Sequence, residues 1–310
     1  MRESLTPGVW GVVATPFQGS ALDVDTDSLA ELVGYYESIG ATGLTVLGVF
    51  GEAAALTAAE RSLVLEVAVE ETRLPLVAGV TALHSGTAVE EIRAIQAATG
   101  DRLAAVMVQA NSAQPGVVMA HLNALHRSTG ANVVLQDYPL ASGVSISTEA
   151  LIAVVQACPF VIAVKAEAPP TSVAIGQLTA ALDVSVFGGL GGQGLLDELM
   201  AGAAGAMTGF SYPEALIACV KAWQRDGYGA ARDALLPYLP LINFEQQAKI
   251  ALAVRKECLR QRGLIADAGV RAPAAVFPEV LRNALRTHLD EAATALGPNP
   301  AAASTMARSH

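Results

Sequence analysis

Phe160-Val161-Ile162-Ala163-Val164-Lys165 is five apolar residues closed by a lysine. A short apolar run of this kind, rich in β-branched residues, reads as a strand buried on both faces. Lys165 is the first lysine of a 310-residue chain, and only Lys221, Lys249 and Lys256 follow it. Lysine is seldom fully buried unless it is paired. A lysine at the end of a core strand therefore has two readings. It is a structural residue held by a nearby carboxylate such as Glu167, or it is a nucleophile. Desolvation favours the neutral amine, the form that attacks a carbonyl to make a Schiff base.

Outward from this strand the same pattern repeats. Strands are predicted at Gly8–Thr15, Gly43–Leu47, Leu76–Gly79, Ala104–Gln109, Asn132–Gln136, Val161–Lys165, Ser185–Gly188 and Gly205–Gly209. Helices are predicted between them at 27–39, 57–71, 85–99, 115–129, 148–157, 171–182, 194–203 and 213–226. Thr57 with Glu60 makes a capping box, and Gly40, Gly100 and Gly130 sit where helices close. Eight strand–helix units with near-continuous apolar strands predict a (β/α)8 TIM barrel over residues 1–226. Helices without strands follow at 228–239, 242–263 and 278–296, a C-terminal helical appendage over 227–296. Residues 297–310, opening Gly297-Pro298-Asn299-Pro300, read as a disordered tail. A doubly wound open sheet is the alternative, but no Gly-x-Gly-x-x-Gly turn follows the first strand.

Bulk properties narrow the function. Charged residues are 15% of the chain and the net charge is −10 without basic clusters, which argues against a nucleic-acid partner. No apolar run reaches the roughly 18 residues of a membrane span, and no signal peptide is evident, so a cytoplasmic protein is expected. Cys158, Cys219 and Cys258 and the five histidines lack metal-ligand spacing. No metal and no cofactor are expected.

A barrel's active site lies at the C-terminal ends of its strands. That rule selects Thr15, the loop Gly48-Val49-Phe50-Gly51-Glu52, Gln109, Gln136-Asp137-Tyr138, Lys165, Gly188-Gly189 and Thr208. Lys165 is the only amine among them. An imine between Lys165 and a 2-oxo acid would make an electron sink of the ketone and activate its neighbouring carbon.

The chain resembles the dihydrodipicolinate synthase / N-acetylneuraminate lyase family of pyruvate-dependent class I aldolases. Three stretches carry the resemblance: Gly48-Val49-Phe50-Gly51-Glu52 running on to Leu56-Thr57 and Glu60-Arg61, Thr15-Pro16-Phe17 after the first strand, and Val161-Ile162-Ala163-Val164-Lys165. It implies a TIM barrel, Lys165 as the imine-forming residue, Gly48, Val49, Phe50, Gly51 and Glu52 as the loop shaping the substrate site, and a dimeric or tetrameric homo-oligomer. Gln109, Gly188 and Gly189 are expected beside that site.

The departures are specific. Where the family usually has Thr or Ser between the loop glycines, this chain has Val49 and Phe50, leaving backbone N–H groups to hold a carboxylate. The family's catalytic tyrosine position, aligned on Pro139, holds Gln136; Tyr138 lies two residues on and on the same strand face. An amide can hydrogen-bond a carbonyl but cannot shuttle protons. Pro139–Gly143 lacks the synthases' distal-group arginine, and Gln109–Pro115 lacks their aromatic residue. A true dihydrodipicolinate synthase is thus disfavoured. The sequence supports a Schiff-base lyase, aldolase or dehydratase, acting on pyruvate or another 2-oxo acid. The absence of arginine from the site suggests an uncharged partner portion. The alternative is a catalytically impaired relative that binds a 2-oxo acid as a sensor.

Overall fold

The computed structural model describes residues 4–296. Eight parallel strands close into a barrel: β1 (Gly8–Val12), β2 (Gly43–Val46), β3 (Leu76–Gly79), β4 (Leu103–Gln109), β5 (Val133–Asp137), β6 (Val161–Ala166), β7 (Ser185–Gly188) and β8 (Gly205–Thr208). Each strand pairs with its sequence neighbours, and β1 joins β8 through Gly8 opposite Gly205. The strands are buried nearly throughout, which is why they lack in–out alternation of polarity. Helices between the strands pack their apolar faces onto the barrel, and the capping box at Thr57 forms as expected, with Glu60 closing it.

Register positions the chemistry. Gln136 lies opposite Lys165 across β5 and β6, and Gln109 lies opposite Gln136 across β4 and β5. Partners in register share one face of a sheet. The three side chains therefore point the same way at the C-terminal rim.

Several boundaries differ from the sequence reading. The first strand stops at Val12, and the chain then makes a small hairpin, Phe17–Gln18 with Asp23–Val24, that two-residue strands are too short to announce. The predicted helix 194–203 is only Leu195–Met200. The predicted helix 228–239 ends at Leu235 and continues through a 3-10 turn. The long helix expected at 242–263 is two helices, Leu239–Glu245 and Ala251–Gln261. Lys249, at φ 72°, breaks it in a backbone region that costs a non-glycine residue about 1–2 kcal/mol. The expected tail at 297–310 lies outside the described residues. No helix among the described residues is long and apolar enough to cross a membrane.

Candidate active site

Lys165 and Glu167 lie two residues apart, at the end of β6 and just past it, so the pleat aims both side chains at the rim. Their Nζ and Oε2 atoms are 3.1 Å apart, and both side chains are more than nine-tenths buried. Gln136 Nε2 donates to the same Oε2 at 2.6 Å. Gly189 has room for this carboxylate because it has no side chain: a methyl there would sit 2.2 Å from Glu167 Oε1. Lys165 is paired with Glu167 and is also placed on the wall of a cavity of about 240 Å³.

That cavity is walled by Gly48, Val49, Phe50, Gln136, Tyr138 and Thr208, with the C-terminal helices closing the far side. Thr15 Oγ1 donates to Gly51 O at 2.7 Å and steadies the β2 loop. The amides of Val49 and Phe50, both on this wall, donate to no acceptor among the described residues. Tyr138 shares the wall with Gln136 but makes no hydrogen bond to Lys165. Burial pushes its phenol above the ordinary range, with Glu167 adding to the shift and Arg255 opposing it.

The other expected residues lie around this centre. Gln109 lines an adjoining cavity of about 200 Å³ that shares Gly48, Val49 and Gln136 with the first. Gly188 backs onto Glu198, whose carboxylate would collide with any side chain there. Gly51 and Glu52 do not face the cavity. Glu52 instead braces the loop: its Oε1 accepts from Lys256 Nζ at 2.7 Å and its Oε2 from the Arg271 amide at 2.8 Å.

Two carboxyl groups flank Glu167. Asp137 is raised to about 6 by desolvation, with the Glu167 charge adding to it. Glu198 is raised to about 7, again chiefly by burial, although Thr171 Oγ1 donates to its Oε1 at 2.7 Å and opposes the shift. Among the described residues no group of three or more His, Cys, Asp or Glu is placed to hold a metal ion.

One expectation is corrected. The site does contain an arginine: Arg255, on the helix Ala251–Gln261, lines the cavity with Gln246 and Lys249. It lies almost fifty residues after the last barrel strand, and no local signal in the sequence points it at the mouth.

A family profile described as the Dihydrodipicolinate synthetase family matches residues 6–292. The chain belongs to that family. An L-2-keto-3-deoxyarabonate dehydratase of Azospirillum brasilense is 28% identical over 289 residues, covering 88% of this chain and 91% of that protein. A 4-hydroxy-tetrahydrodipicolinate synthase of Porphyromonas gingivalis is also 28% identical, but over only 51% of this chain and 54% of that protein. The crystal structure of a dihydrodipicolinate synthase from Rhodopseudomonas palustris superposes with a TM-score of 0.86 at 28% identity, covering 93% of this chain and 99% of that one. With these enzymes as family members, the chain is a lyase-type barrel of the class I aldolase superfamily.

Proposed function

We propose that the protein dehydrates a 2-oxo acid through an imine on Lys165, with Glu167 as the acid and base. The Lys165–Glu167 contact of 3.1 Å at the cavity wall carries this reading. Lys165 Nζ bonds to the keto carbon, and the carbinolamine loses water to give the protonated imine. Glu167 then takes a proton from the adjoining carbon, leaving an enamine. Expulsion of a hydroxyl one carbon further uses that same proton, so water leaves and the carboxylate is restored. Hydrolysis of the imine frees the product and the lysine.

The missing tyrosine favours a sensor reading only while Gln136 is taken as its replacement. Gln136 donates to Glu167 and so positions a group that does exchange protons. Dehydration is favoured over aldol cleavage because a relative aligned over most of both chains is named a dehydratase. By the family resemblance, we also read the protein as a cytoplasmic homo-oligomer.

The test is borohydride reduction with pyruvate, followed by peptide mass mapping. A stable adduct on the peptide bearing Lys165 is expected, and water loss from five- and six-carbon 2-keto-3-deoxy acids should accompany it. No mass increase on that peptide overturns the imine.

A further inference from the structure

The cavity holds a second cluster of donors, opposite in chain origin to the imine centre. Gln246 Nε2 is buried and has no hydrogen-bond partner. Arg255 is itself buried, and its Nε also lacks one. Both converge at Gly191, the residue at φ 66° in the loop after β7: a methyl there would sit 1.8 Å from Gln246 Nε2 and 3.0 Å from Arg255 Nη2. Among the described residues the Arg255 guanidinium has one ion partner, Glu245, which stands 3.5 Å from Nε on the back edge of the group. Glu245 is otherwise engaged by the backbone N–H and hydroxyl of Ser211. The fork of Arg255 is therefore left facing the cavity.

Buried donors without acceptors are costly, and a guanidinium fork matches the two oxygens of a carboxylate. The amides of Val49 and Phe50, on the cavity wall with Lys165, already offer one carboxylate receptor. The Arg255–Gln246 pair is a second receptor in the same cavity. We infer that the substrate is a 2-oxo acid with a second carboxylate, received at its distal end by Arg255 and Gln246. This inference rests on the imine reading for the identity of the near end. It reverses the uncharged partner portion expected from sequence.

The experiment compares 2-oxo diacids of five and six carbons with 2-oxo monoacids of the same length. The readout is the concentration giving half-maximal borohydride adduct on the Lys165 peptide. The wild type should capture at least one diacid tenfold more tightly than its matched monoacid. Arg255→Gln should weaken diacid capture at least tenfold more than pyruvate capture, and Gln246→Leu should do so to a smaller extent. Equal capture of diacids and monoacids by the wild type overturns the inference. So does a diacid preference that survives Arg255→Gln, or an equal loss of pyruvate and diacid capture in that variant.

A second readout does not need the imine. Glutarate and adipate, which lack a keto group, should raise the melting temperature of Lys165→Ala, and the rise should vanish when Arg255→Gln is added. No rise overturns the distal site. If pyruvate leaves no adduct while adipate still protects, the imine reading fails and the distal site stands.

Discussion

Two buried lysines meet two carboxylates in this molecule, and they do opposite things. Lys256 is completely enclosed. It donates to Glu52 at 2.7 Å and to Gly269 O at 2.6 Å, and it lies 4.2 Å from the centre of the Phe17 ring. Its ammonium is ringed by partners, and it lines neither cavity of the site. Lys165 has one partner at 3.1 Å, which Gln136 also claims, and its remaining side is a cavity wall. Burial and an ion pair are common to both. What separates Lys165 from the brace is unfilled bonding capacity facing empty space, the feature on which the proposed nucleophilic role rests. A search for buried lysines alone would rank Lys256 first.

The sharpest way to break this contrast is to delete each lysine in turn. Lys165→Ala should lower kcat by roughly 10⁶-fold, as loss of a nucleophile does; measurable turnover near the wild-type level would make Lys165 a second brace. Glu167→Gln keeps the shape and one of the two acceptor oxygens but removes proton transfer, and should cost about 10²–10⁴-fold in kcat while the pyruvate adduct still forms. An unchanged kcat would move the acid–base role elsewhere.

Lys256→Met should act on stability instead. It leaves Glu52 charged and unpaired in the interior, a loss of about 3–5 kcal/mol, read as a lower melting temperature. The protein that remains folded should still form the Lys165 adduct, and loss of the adduct would erase the distinction between the two lysines.

Glu198 sharpens the comparison from the acid side. Its carboxyl is raised from 4.5 to about 7 in the folded protein. Between those values the native state keeps a proton that the unfolded chain releases, so stability falls as pH rises across that window. The full loss is on the order of 3 kcal/mol. Melting temperatures at pH 5 and pH 8 should differ in the wild type and differ less in Glu198→Gln, where Asp137, raised to about 6, supplies the remaining slope; an equal slope in both would place the titration in another group. The smallest effect expected is that of Gly209→Ala. A methyl there would sit 2.3 Å from the Phe50 ring, which lies under Arg255. Overpacking of this kind costs about 1–3 kcal/mol and should appear in KM more than in kcat.

The barrel was legible because strand and helix periods are local properties, and they place Lys165, Gln136 and Tyr138 on one rim. The Glu167 partnership was legible too, since two residues on a strand share a face. What the sequence hid was long-range. The hairpin at Phe17–Val24 has no periodicity to detect. The break at Lys249 is a single residue within an otherwise helical pattern. Arg255 reads as one more helical charge beside Lys256, and only the packing of the C-terminal helices turns one toward the cavity and the other toward Glu52. Glu52 looked like part of the substrate loop because its partner is 204 residues away.

The placement of Glu167 so close to Lys165 has a consequence for how the site can change. The proposed nucleophile and proton carrier occupy one six-residue strand and the position just after it, so a change in the loops leaves their mutual register intact. The donors at the far end of the cavity, Gln246 in the turn after Leu239–Glu245 and Arg255 on Ala251–Gln261, lie in the C-terminal region that the barrel does not need in order to close. Changes at the proposed distal receptor can therefore alter substrate preference while leaving the proposed imine centre in place.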